Sequence, residues 1–277
     1  MDRPDPSPRL RPGMIDRMVD DRVRALFERA GCTGSPLARS LDGDTESGLR
    51  ADEPVVPASA VKALVAETWF AEGRLAPRER VTPGAAERTP GPAGVSLFED
   101  AVLSWRDLVV LMPTIGDNPN AGQDLGHAGR AGPVSRSDRA SARETRGDER
   151  LATTRALTPR AGTRTTPRDM VTPLGLIRSG QAGPADTRAP GRGRMARRRT
   201  RHRIASAFRT PVRVAAKSGG LAGIVRNEVG VVSLPDGRRY AAAVRTRSRP
   251  GSDDAAADAA IEAATARAIA SRAHRTT

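Results

Sequence analysis

The chain has 277 residues and a net charge of +14, from 46 Lys plus Arg against 32 Asp plus Glu. That length allows one sizeable core or two subdomains, but aromatics make up only 3% of it, so the core is thin for its size. A single cysteine, Cys32, excludes an internal disulfide and is compatible with a reducing compartment. His127, His202 and His274 are too scattered to form a metal signature, and no apolar run reaches the length of a membrane span.

Residues 1–13 are rich in proline and arginine and have no apolar stretch, which predicts a disordered start rather than a secretory signal. Ile15, Met18, Val19, Val23, Leu26 and Phe27 then recur at helical spacing and make one apolar stripe. Pro54 to Ala58 reads as an extended, proline-punctuated approach. From Ser59 to Phe70 there is neither proline nor glycine, which predicts a helix starting at or just before Ser59. Ser59 would occupy the positive end of that helix, with Lys62 one turn later on the same face. Serine needs a base before it becomes a nucleophile, and a lysine in a dry pocket near other cations can serve.

Leu103 to Met112 is followed by Gly116-Asp117-Asn118. Residues 121–154 have almost no large apolar side chains and no period of 3.6 or 2, which predicts loop or disorder. Thr165-Thr166-Pro167-Arg168-Asp169-Met170 follows. Residues 180–203 are again featureless and more basic, with eight arginines between Arg188 and Arg203. Val212 to Ala216 reads as a strand ending at Lys217-Ser218-Gly219-Gly220. Ile224 to Leu234 reads as a second and Tyr240 to Val244 as a third. Pro235-Asp236-Gly237 makes the hairpin turn between the last two, so the three form an antiparallel meander. Ser252-Asp253-Asp254 caps an alanine-rich helix ending near Ala273.

The chain holds only two lysines, Lys62 and Lys217, and both fall inside these short stretches. In a composition this rich in arginine, a retained lysine points to a task that needs a releasable proton.

Ser59-x-x-Lys62, then Gly116-Asp117-Asn118, then Lys217-Ser218-Gly219 resemble the S-x-x-K, S-D-N and K-T-G elements of class A β-lactamases and penicillin-binding proteins. The likeness extends over roughly 50–120 and 204–270, is patchy over 160–177, and is lost over 121–155 and 178–203. It implies an α/β (α+β) fold: an antiparallel sheet flanked by N- and C-terminal helices, plus an all-helical subdomain, with Leu103 to Met112 as the helix leading into the middle element and Thr165 to Met170 opening a later one. Composition, by contrast, leaves 121–155 and 178–203 poorly ordered. Residues 14–277 would form one such domain, with 14–58 and 204–277 as the α/β part and 59–203 as the helical part.

The resemblance also implies roles. Ser59, Lys62, Asn118 and Lys217 would be catalytic, with Asp117, Ser218 and Gly219 binding substrate. The amides of Ser59 and Gly220 would make an oxyanion hole. It implies a small acyl substrate, β-lactam or ester, with no cofactor or metal. Two departures weaken the expected activity. Gly116 stands where the family has serine, and no glutamate lies between Arg150 and Pro167, where the family carries its deacylating residue. A catalytically inactive relic or binding module on the same fold is the alternative reading.

A nucleic-acid binder is the rival suggested by charge. No aromatic interleaves the 188–203 arginines and no DNA-binding motif accompanies them, which argues against it. The absence of a signal or membrane span predicts a cytoplasmic protein that does not associate with membranes.

Overall fold

A computed structural model describes residues 12–64, 80–82, 98, 101–115, 164–179 and 202–273. Helix α1 (Pro12–Arg29) leads into strands β1 (Cys32–Ser40) and β2 (Glu46–Gly48). A short 3₁₀ turn (Ala58–Val61) carries Ser59. The pair β3 (Arg80–Val81) and β4 (Leu103–Ser104) precedes α2 (Trp105–Ile115), and α3 (Pro167–Ser179) follows. The chain closes with β5 (Arg213–Leu221), β6 (Val225–Ser233), β7 (Arg239–Ser248) and α4 (Asp254–Ala273).

β1, β2 and β5–β7 form one five-stranded sheet in the order β2-β1-β7-β6-β5, antiparallel at every junction. The expected meander is present, with strands longer than the sequence suggested: β5 runs through Lys217 to Leu221, and β7 continues from Val244 to Ser248. The expected turn is also in place. Gly237 has φ +91°, a conformation that favours glycine, and its N–H donates to the Leu234 carbonyl at 3.1 Å.

β1 and β2 were not apparent from sequence. β1 contains Gly34 and Pro36, two residues that strands disfavour. Both have local reasons. A Cβ on Gly34 would fall 2.2 Å from the Phe27 ring, so the glycine makes the socket into which α1 seats its aromatic side chain. Pro36 lies just beyond the three-residue β2, where its carbonyl still accepts from Leu49 N–H at 2.9 Å but no further ladder bond is needed from its nitrogen.

Strand alternation divides the core into two layers. Tyr240, Ala242 and Val244 of β7 pack with Val23 and Phe27 of α1 and with Ala257, Ile261, Ala264 and Ala268 of α4. This is the expected pairing of first and last helices on one face. Asp253 caps α4: its carboxylate accepts from Ala255 N–H at 2.9 Å and its carbonyl from Ala257 N–H at 3.1 Å. Ala241 and Ala243 point the other way, onto Met170, Val171 and Leu174 of α3 and Ala60, Ala63 and Leu64 beside Ser59. Thr166 caps α3 through a 3.0 Å bond from Asp169 N–H, with Pro167 at the first helical position, where a missing N–H costs nothing.

Two ends of a stretch expected to be poorly ordered are in fact structured. α3 extends to Ser179, and Arg203 is buried at 3% exposure. Gly116, Asp117, Asn118 and residues 121–155 lie outside the described residues.

Candidate active site

Ser59 is delivered by a tightly held approach. Val55 and Thr165 exchange two backbone hydrogen bonds, at 2.9 and 3.0 Å, which ties the approach to the segment opening α3. Asn227 of β6 donates its side-chain amide to the carbonyls of Val56, at 2.8 Å, and Pro57, at 3.3 Å. The Pro57 carbonyl also accepts from Arg245 Nη1 at 3.2 Å and from Ala60 N–H at 3.3 Å. The next residue, Ala58, is fully buried with φ +47°, a left-handed conformation that a residue with a Cβ adopts at a cost of about 1–2 kcal/mol.

The helix expected at Ser59 begins as 3₁₀ and turns α-helical from Lys62. In 3₁₀ geometry residues i and i+3 eclipse, which keeps Lys62 and Ser59 on the same face where the turn passes into the helix. Ser59 is half-buried and Lys62 is 5% exposed. First-turn N–H groups of a helix have no intrahelical acceptor, which leaves this end electropositive.

β5 is the end strand of the sheet and lies against the Ser59 turn. Their closest approach is at Gly219. A Cβ there would lie 2.4 Å from Ala60 N and 2.8 Å from Ser59 N, so only glycine lets the two backbones meet. Lys217 shares the parity of Ala215 and Gly219, which places its side chain on the Ser59 side of the strand; it is 4% exposed. Its Nζ donates to the Ser218 carbonyl at 2.7 Å. Ser218 is half-buried, on the opposite parity.

The orientation of Gly220 follows from the ladder. Arg226 is its partner on β6, and Arg226 N–H donates at 2.8 Å to Thr246 Oγ1 on β7. The Arg226 N–H therefore points away from β5. In an antiparallel pair the opposite residue then points away too, so Gly220 directs its N–H to the open edge of the sheet. The Ser218 carbonyl that holds Lys217 Nζ shares that parity. Ser59, Lys62, Lys217, Ser218, Gly219 and Gly220 are thus gathered at one sheet edge from two distant parts of the chain.

Four residues around this edge were not singled out in the sequence. Arg203 donates through Nη1 to the carbonyls of Gly219, at 3.1 Å, and Asn227, at 2.6 Å, and pairs through Nε with Asp258 at 2.6 Å. Arg226 pairs with the other Asp258 oxygen at 2.7 Å. Both guanidiniums lie near where a Gly220 Cβ would be, at 3.4 Å for Arg226 Nη1 and 3.6 Å for Arg203 Nη2. Burial lowers the Arg203 pKa against the pull of Asp258, whereas the hydrogen bonds of Asp258 raise that of Arg226. The two arginines hold the Asp258 carboxyl below the usual range, outweighing the upward push of burial. Asn227 and Arg245 are the other two. Asn227 lies between Arg226 and Glu228 in a run of three polar residues, so its inward-facing amide had no mark in the sequence. Arg203 faces inward on Asp258, so it is not a phosphate contact of the 188–203 run.

Among the described residues no group of His, Cys, Asp and Glu is placed to hold a metal. Nor is any described helix long and apolar enough to cross a membrane.

An antiparallel sheet with α1 and α4 on one face, α3 on the other, and a serine turn abutting its edge strand defines the class, and comparison with known proteins agrees. The sequence matches the Beta-lactamase enzyme family over residues 18–272. The chain belongs to that family. No curated protein sequence matches it. Its structure is similar to a class A beta-lactamase from Mycobacterium abscessus, with 20% identity, TM-score 0.79, and coverage of 92% of this chain and 100% of that one. A beta-lactamase from Xanthomonas campestris pv. campestris gives 22% identity, TM-score 0.76 and coverage of 90% and 97%. A mutant of PBP-A, described as an acyl-enzyme complex with penicillin G, gives 20% identity, TM-score 0.73 and coverage of 93% and 97%. The fold is that of the class A β-lactamases, and the family is one of serine hydrolases of the β-lactamase type.

Proposed function

We propose that Ser59 is the nucleophile of an acyl-transfer reaction on β-lactams or related esters. The observation that carries this reading is the backbone approach at Gly219, which sets the first turn of the Ser59 helix against the edge of β5 bearing Lys217 and Gly220. Lys62 takes the Ser59 proton as Oγ attacks the carbonyl carbon. A C–O bond forms, and charge gathers on the carbonyl oxygen. The amides of Ser59 and Gly220 stabilise that oxyanion. Collapse breaks the C–N or C–O bond to the leaving group, which receives the proton from Lys62. Lys217 attracts a substrate carboxylate, aided by Ser218 and Gly219 along the strand edge, with Arg226 adding positive potential beside Gly220. Asn118 would orient the substrate amide and Lys62, and Asp117 would help bind substrate.

Gly116 supplies no hydroxyl to relay a proton to a leaving nitrogen, a loss of about 10²–10⁴-fold for a positioned proton donor. An alkoxide or phenolate needs that proton less, so esters should be turned over better than β-lactams. With no glutamate between Arg150 and Pro167, hydrolysis of the acyl-enzyme should be the slow step. The same Gly116 also favours a second reading, a binding module on this fold that is not catalytic.

Pre-steady-state assay of an activated phenyl ester decides between them. A burst equal to one phenolate per protein, absent in Ser59→Ala, supports acyl transfer with slow deacylation. No burst from folded protein, with reversible binding of a β-lactam retained, supports the binding module.

A further inference from the structure

Arg245 is completely buried on β7, on the face where its neighbours at the same parity are Ala241 and Ala243. Burial lowers its pKa to about 9, offset in part by Asp169. Among the described residues its Nε and Nη2 have no hydrogen-bond partner, and neither does one carboxylate oxygen of Asp169, itself 4% exposed. Stability alone does not favour this arrangement, because buried charges with unmet hydrogen bonds are commonly replaced by apolar residues at no loss. The bond Arg245 does make is to the Pro57 carbonyl, at 3.2 Å.

That carbonyl is the last rigid point before the reactive serine. It accepts from three donors on three elements: Arg245 on β7, Asn227 on β6 and Ala60 in the turn itself. Immediately after it, Ala58 is held at φ +47°. A strained residue keeps such a conformation only when its surroundings over-determine it. If the Pro57 peptide rotated, Ala58 would relax toward negative φ. Both the hydroxyl and the N–H of Ser59 would then shift relative to β5.

We propose that Arg245 is a positioning residue for Ser59: through the Pro57 carbonyl it holds the left-handed turn at Ala58 that aims the serine. The proposal rests on the reading of Ser59 as nucleophile for its kinetic consequence, but not for its structural one. Asp169 supplies the counter-charge that lets the guanidinium stay buried. The cluster stabilises one geometry of the turn at the expense of overall stability.

The test is the charge-neutral double variant Arg245→Met with Asp169→Leu, compared with the parent by three measurements. Thermal denaturation should show an unchanged or raised Tm. Amide hydrogen exchange should accelerate by about tenfold or more at Ala60, whose N–H bonds to Pro57, and stay unchanged along β6 and β7. The acylation burst should slow by about 10- to 100-fold, the scale expected for a misplaced reacting group. A merely structural role would give the opposite combination: lower Tm, faster exchange throughout the sheet, and a burst reduced only in proportion to the folded fraction. Unchanged exchange at Ala60 would overturn the proposal whether or not the protein acylates. A parent that never acylates would count against the functional reading alone, with the exchange result still deciding the role of Arg245.

Discussion

The two faces of the main sheet are built to different specifications. Toward α1 and α4 the strands present Tyr240, Ala242, Val244, Val214 and Val232, and the helices answer with alanines, Ile261 and Phe27. Toward Ser59 the same strands present Lys217, Asn227 and Arg245, all nearly inaccessible to solvent, with Gly219 left bare. Both faces bury apolar clusters, and the α4 face also buries Glu228, which accepts from Ile204 N–H at 2.6 Å. The Ser59 face differs in using its buried lysine, amide and guanidinium, all costly to desolvate, to fix a turn and an edge. Period-2 alternation lets one set of strands do both, so a substitution can be aimed at one role with little effect on the other.

The largest effect should come from Lys62→Met. Removing the base while keeping the side-chain bulk should slow acylation by about 10³-fold or more, with little change in Tm. Stopped-flow release of a phenolate checks this, and a rate within tenfold of the parent would remove Lys62 from the reaction. Next is Gly219→Ala. The new Cβ would meet the Ala60 and Ser59 backbone and push β5 from the turn, lowering acylation about 100-fold and stability by about 1–3 kcal/mol. Kinetics and denaturant titration measured together would show both losses.

The opposite face should behave in reverse. Ile261→Ala opens a cavity under α4 and should cost about 2–5 kcal/mol, while the folded fraction acylates at the parent rate. If it slowed acylation as much as Gly219→Ala, the separation of the two faces would be wrong.

The smallest effect concerns Asp258, which links α4 to Arg203 and Arg226. Its folded pKa is lowered, so its contribution is complete above the unfolded value of about 3.9 and fades as pH falls through the folded one. Asp258→Asn should therefore be less stable than the parent at neutral pH, with the gap closing below about pH 4. Denaturant midpoints across pH 3–7 would check this, and a gap that widened on acidification would contradict it.

How far the sequence could be read follows the same division. The helix stripes, the cap at Asp253 and the Asp236-Gly237 hairpin are local signals, and each predicted its element. β1 was invisible because Gly34 and Pro36 answer to tertiary contacts, with Phe27 and with the end of β2. Ser59, Lys62 and Lys217 stood out through motif spacing and the scarcity of lysine. Arg203, Asn227, Arg226 and Arg245 did not, because each acts on a backbone carbonyl or a carboxylate far away in the chain, and nothing near them in sequence marks the partner.

The central claim is that Ser59 is a live nucleophile whose acyl-enzyme outlasts its formation. Intact mass spectrometry after incubation with penicillin G, on the parent and on Ser59→Ala, tests it directly. One adduct of the full penicillin mass is expected on the parent, persisting for minutes or longer, and none on the variant. An unmodified parent that is folded and binds the ligand would contradict it.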